Sequence, residues 1–168
     1  LVPAALREQV AKRLHRRVGL LPDRLSITAT HTHSGPILAG MSKTLYCHPL
    51  PQKHREHIER YTKELIDKLE QVAIAAFKNP QPAHLAWAQS NASFAHNRRT
   101  KGGPVDHDLP VMVAKDLSGK LRAVYLSYAC HCTTLSHNKI SGDWAGYAQE
   151  SIQRRHPGAI ALVSVGCG

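Results

Sequence analysis

The run Thr30-His31-Thr32-His33-Ser34-Gly35-Pro36 holds the most chemical potential in the chain. On a strand, residues two apart point the same way, so His31 and His33 would converge on one ion or one substrate. Thr30, Thr32 and Ser34 offer hydrogen bonds that fix an imidazole's tautomer. The same pattern also fits the polar edge of a strand. His131 closes the apolar run "LRAVYLSYACH". Alone, it reads as a core histidine bonded to backbone. Two strands that both end in histidine point instead to a metal, because a catalytic zinc takes three protein ligands and keeps one position open. Asp143, in "SGDWAGY", is either a further ligand or the N-cap of the helix that follows. Arg98 and Arg99, in "AHNRRTKGG", carry planar forks suited to a carboxylate, a phosphate or a developing oxyanion. The alternative for them is a solvated loop.

The surrounding elements must position these residues. Residues 3–18 predict an amphipathic helix, with Leu6, Val10, Leu14 and Val18 recurring every fourth position and Gly19 at its end. Residues 24–30 alternate as a strand that delivers the histidine pair. Residues 34–51 form a long loop rich in glycine and proline. Residues 52–78 predict a long helix with a stripe at Ile58, Tyr61, Leu65, Leu69, Val72 and Ala76, stopped by Asn79-Pro80. Strands follow at 83–93, 109–116 and 121–129, the last two joined by the hairpin signal Leu117-Ser118-Gly119-Lys120. A helix at 142–155 and an apolar strand at 159–165 complete the pattern. Helices follow strands more than once, which argues for an α/β fold with a mixed sheet flanked by helices. Sites in such sheets lie at the carboxyl ends of the strands.

The chain has 168 residues, 42% hydrophobic and 20% charged, which suits one globular domain or a large piece of one. No apolar run is long enough to cross a membrane as a helix. The net charge is +10, but it is spread out, and aromatic residues make up only 5%. That is few for stacking on bases, so nucleic acid is not an expected partner. Contact with an anionic membrane surface remains open. Cys130 and Cys132 would share one face of a strand with His131 on the other, so the three would not bind one ion together. These cysteines, with Cys47 and Cys167, read as buried free thiols.

The motifs "LSITATHTHSGP", "HNRR", "YLSYACHCTTL", "SGDWAGYAQESI" and "ALVSVGCG" occur in the order found in the N-terminal catalytic domain of neutral/alkaline ceramidases. The chain resembles that family from about Leu6 to Gly168, and is most similar to its shorter bacterial relatives. The resemblance implies a zinc amidase that cleaves the N-acyl bond of a ceramide-like lipid to a sphingoid base and a fatty acid. It implies that His31 and His131 are zinc ligands, that His33 handles substrate or a proton, and that Arg98 lines the site. In the family a glutamate, a tyrosine and a serine-bearing turn lie further along, so residues 1–168 are expected to be part of a larger catalytic domain. Secretion, the periplasm or the cell surface is the location the family implies. Ile37-Leu38-Ala39 and Cys132 depart from the family's pattern. Two other readings stand beside this one: a different metal-dependent amide or ester hydrolase, and a non-catalytic module binding zinc, lipid or polyanion.

Overall fold

The computed structural model describes residues 1–41, 48–135 and 137–167; Cys47 and part of the expected 34–51 loop lie outside them. Two compact units form. One joins Leu1–Thr28 to Pro36–Pro80, and the other joins Ala29–Gly35 to Gln81–Gly168.

The first unit is a helix pair. Helix α1 spans Ala4–Val18 and ends at Gly19, whose φ of 69° lets its N–H donate back to the His15 carbonyl. Glycine adopts that left-handed conformation without a Cβ penalty, which makes it a helix terminator. Helix α2 spans Gln52–Lys78. Leu6, Val10 and Leu14 of α1 pack on Ile66 of α2, with Leu65, Leu69, Ala73 and Ile74 around them. The buried stripe therefore runs through Ile66 and Ala73, and Val72 is left 64% exposed. Arg13 ties the pair together, donating to Asp67 at 2.6 Å and to Glu70 at 3.1 Å.

The expected strand at 24–30 does not form. A short 3-10 turn at Pro22–Arg24 comes first, and no strand follows before the histidines. Leu25 and Ile27 do face inward, but onto the helix pair. The Arg7 guanidinium takes up the Pro22 and Leu25 carbonyls. A side chain from α1 thus satisfies backbone groups that a neighbouring strand would otherwise bond.

The second unit carries a mixed sheet in the order β1-β2-β3-β4. Its strands are β1 Ala83–Asn91, β2 Asp108–Asp116, β3 Leu121–Tyr128 and β4 Ile160–Val165. The first three pair antiparallel, and β4 lies parallel to β3. Parallel neighbours need a crossover, which helix α3 at Asp143–Arg155 supplies. The β2–β3 turn is closed by Asp116, whose carboxylate accepts the Ser118 and Lys120 N–H groups at 3.0 Å each. The expected α/β fold with a mixed sheet is what forms.

One sheet face meets α3. Leu126, Val163, Ala145 and Cys132 are buried there, joined by Leu109, Val111, Trp144, Ala148 and Ile152. On the other face, the cross-strand row Trp87, Met112, Tyr125 and Leu162 is exposed.

Leu14 has no exposed surface. Leu14→Ala is expected to cost ~2–4 kcal/mol, read from urea unfolding, because the helix pair cannot close the cavity it leaves. A loss under about 1 kcal/mol would show that this contact does not hold the pair.

Candidate metal centre

The segment Ala29–Gly35 belongs with the sheet unit. It is not a strand, so His31 and His33 do not converge by strand alternation. His31 adopts φ 53°, one of two non-glycine residues with positive φ among those described. The chain turns there. Histidine tolerates the left-handed region better than most residues, and such a conformation persists only where the surroundings over-determine it.

Those surroundings are specific. The His33 N–H donates to the Cys132 carbonyl at 3.2 Å. The Thr32 hydroxyl donates to the Ser141 carbonyl at 2.8 Å. The Ser141 N–H donates to the Ser34 carbonyl at 2.9 Å. The histidine segment is thus stitched to the loop after β3 and to the loop before α3.

His131 lies in the loop just past β3. The three imidazoles come together: the ligand atoms of His31, His33 and His131 all lie within 4.8 Å of one another. Ring centroids stand 4.2 Å apart for His31 and His131, 5.1 Å for His31 and His33, and 5.3 Å for His33 and His131. His31 and His131 are half-buried, and His33 is exposed. Burial, then the neighbouring His131 and His33, push the His31 pKa below the ordinary imidazole value. The neutral ring this favours is the form that ligates a metal.

Asp143 does not join this group. It is 1% exposed and has φ 55°. Its carboxylate accepts from the Thr134 hydroxyl at 2.5 Å, the Thr134 N–H at 3.2 Å, the Leu135 N–H at 2.9 Å and the Trp144 N–H at 2.7 Å. It is the first residue of α3 rather than the residue before it, and its work is wider than capping. It binds the loop that carries His131 to the start of the helix. Burial pushes its pKa up, but the bonds from Thr134, Trp144 and Leu135 outweigh that and hold it below the ordinary carboxylate value. Gly142 lets this junction close, since a Cβ there would sit 2.9 Å from the Gly146 Cα.

Arg98 and Arg99 line a cavity of about 500 Å³ that also has His131, Cys130 and Cys167 in its wall. Tyr128, 1% exposed, anchors the approach to that loop. Its hydroxyl donates to the Ala92 carbonyl at 2.5 Å and accepts the Ala95 N–H at 3.1 Å. The thiols differ from one another. Cys132 is buried and its pKa is pushed up to about 11 by burial. Cys130 is half-buried and Cys167 is exposed, so the buried-thiol reading does not extend to Cys167.

No family model matches the chain. Neutral ceramidase A of Dictyostelium discoideum is 26% identical over 86% of this chain and 22% of its own length. The crystal structure of neutral ceramidase from Pseudomonas aeruginosa superposes with a TM-score of 0.73 at 22% identity, over 96% of this chain and 28% of that one. A structure of a ceramidase complexed with C2 gives a TM-score of 0.71 at 20% identity, over 96% and 27%. The chain therefore resembles neutral ceramidases in sequence and shares their fold, and it spans about a quarter of their length.

Asp143→Asn should destabilise the protein by ~2–3 kcal/mol in denaturant unfolding, since an amide nitrogen then faces N–H donors. The carboxylate's contribution is present above its unfolded pKa and is lost as pH falls through the depressed folded value. An acid titration of stability should therefore be shallower in Asp143→Asn below about pH 4. Identical acid profiles would remove Asp143 from this role.

Proposed function

We propose that the protein is a zinc-dependent amidohydrolase of the neutral ceramidase type, cleaving an N-acyl amide bond of a lipid-like substrate. The observation that carries the proposal is the convergence of His31, His33 and His131 at the carboxyl edge of a mixed sheet. The sequence and fold likeness to ceramidases supports the same reading.

The donor set suits zinc. Imidazoles offer nitrogen ligands of the type that catalytic zinc sites use, and the exposure of His33 leaves an approach from solvent. In this reading His31 and His131 hold the ion. A zinc ion bound there supplies Lewis acidity toward an amide carbonyl. His33 takes a proton from the attacking nucleophile and returns it to the leaving nitrogen. Arg98 sets positive charge beside the developing oxyanion. In the net reaction water adds across the bond. Its oxygen joins the acyl carbon, the C–N bond breaks, and the nitrogen leaves as an amine with the transferred proton. A secreted, periplasmic or surface-associated location, with contact to a membrane surface, belongs to the same proposal.

The test uses the full-length protein. Elemental analysis should find zinc, and His31→Ala should lose both the zinc and the hydrolysis of a short-chain ceramide. His33→Ala should keep the zinc and lose turnover by ~10²–10⁴-fold. Retention of zinc by His31→Ala would overturn the ligand assignment.

A further inference from the structure

We propose that Cys130 and Cys167 form a redox-active pair that closes to a disulfide between the ends of β3 and β4. The pairing stands on its own; its effect on the histidine group rests on the metal reading above.

The sheet sets the pairing. β3 and β4 run parallel, with Tyr128 beside Val165 as the last partners in register. The ladder continues one step further, because the Gly166 N–H donates to the Tyr128 carbonyl at 3.0 Å. Gly166 lies against Ala129: a Cβ built on it would stand 3.4 Å from the Ala129 nitrogen and 3.6 Å from the Ala129 Cβ. Cys130 and Cys167 are the next residue on each side. Neighbouring strands lie about 4.7–4.9 Å apart, and a disulfide joins Cα atoms about 4.4–6.8 Å apart, so adjacent positions on two strands are within its reach. Both side chains also face one space, since Cys130 and Cys167 line the same cavity.

The Cys130 backbone is held while its thiol is free to turn. The Cys130 N–H donates to the Tyr128 carbonyl at 2.9 Å, and the Cys130 carbonyl accepts from Trp144 Nε1 at 3.1 Å. The thiol itself donates to the His131 carbonyl at 3.6 Å, a weak bond that is readily given up. Cys132 is no rival partner, because it is 1% exposed and packed with Leu126, Ala145 and Val163. The oxidant is a small peroxide. Hydrogen peroxide oxidises one thiol to a sulfenic acid and leaves a water; the second sulfur attacks the first, the S–O bond breaks, and another water departs. His131 follows Cys130 directly, so closing the bridge removes the thiol from the His131 carbonyl and ties the loop to β4. Metal binding at the three imidazoles weakens as a result.

The experiment treats the full-length protein with hydrogen peroxide and maps its peptides by mass spectrometry. A peptide pair joined through Cys130 and Cys167 should appear and should vanish on treatment with dithiothreitol, while Cys132 stays reduced. Cys130→Ser and Cys167→Ser should each lose the joined pair and leave the remaining thiol as a sulfenic acid that dimedone traps. A Cys130–Cys132 link, sulfenic acids without a link in the unsubstituted protein, or no oxidation at all would overturn the pair. Zinc titration against a chromophoric chelator reads the effect on the histidine group. The reduced protein should bind zinc ~10-fold more tightly than the bridged one. Equal affinities would refute that effect. If neither form binds zinc, the metal reading fails, and the joined peptide still decides the pair.

Discussion

A buried carboxylate holds the histidine-bearing edge of the sheet unit together. Asp143 gathers hydrogen bonds from Thr134, Leu135 and Trp144, and its own N–H donates to the Ser141 hydroxyl at 3.0 Å. A buried carboxylate is costly unless its lone pairs are taken, and here backbone and hydroxyl donors take them. The consequence is geometric. The loop after β3 cannot drift from the start of α3, so His131 keeps its place. Ser141, fixed by the same junction, receives the Thr32 hydroxyl and so fixes the histidine segment as well. The three rings depend on one anion that touches none of them in the hydrogen bonds described.

The strain at the site fits this arrangement. His31 and Asp143 are the two described non-glycine residues with positive φ, and both stand at this edge. Each costs on the order of 1–3 kcal/mol in an unconstrained chain. Hydrogen bonds to Cys132 and Ser141 offset that cost at His31, and the carboxylate's four bonds do so at Asp143. Strain concentrated where three imidazoles meet is what a preorganised site would need.

Much of the frame was legible in the residues. The long helix at 52–78 was bounded correctly because Pro51 and Asn79-Pro80 punctuate a strong period. The sheet strands were legible from their apolar runs and from the hairpin signal Leu117-Ser118-Gly119-Lys120. Alternation failed at 24–30, since it reports only that one side of a segment is buried. Two helices can bury that side as well as a sheet can, and Leu25 and Ile27 pack on them. The convergence of the histidines was anticipated, but for the wrong reason. Nothing local in Thr-His-Thr announces a left-handed turn. The contact that sets it, from Thr32 to Ser141, spans 109 residues. Tyr128 and Thr134 were missed for a like reason, since their hydroxyl partners lie far off in the chain or on another element.

The exposure of the rings adds a last constraint. His31 and His131, closest at 4.2 Å between centroids, are half-buried, whereas His33 opens to solvent. Two shielded imidazoles can exclude competing water from an ion while the third stays accessible to substrate. That gradient matches the proposed split between holding a metal and moving a proton. It follows from the backbone rather than from ring packing: the His33 N–H is pinned to Cys132, whose own side chain is sealed in the sheet core at 1% exposure. The sheet core thus meets the histidine segment at Cys132. A larger side chain than cysteine at that position would press on the sheet core and on the histidine segment together, coupling stability to site geometry.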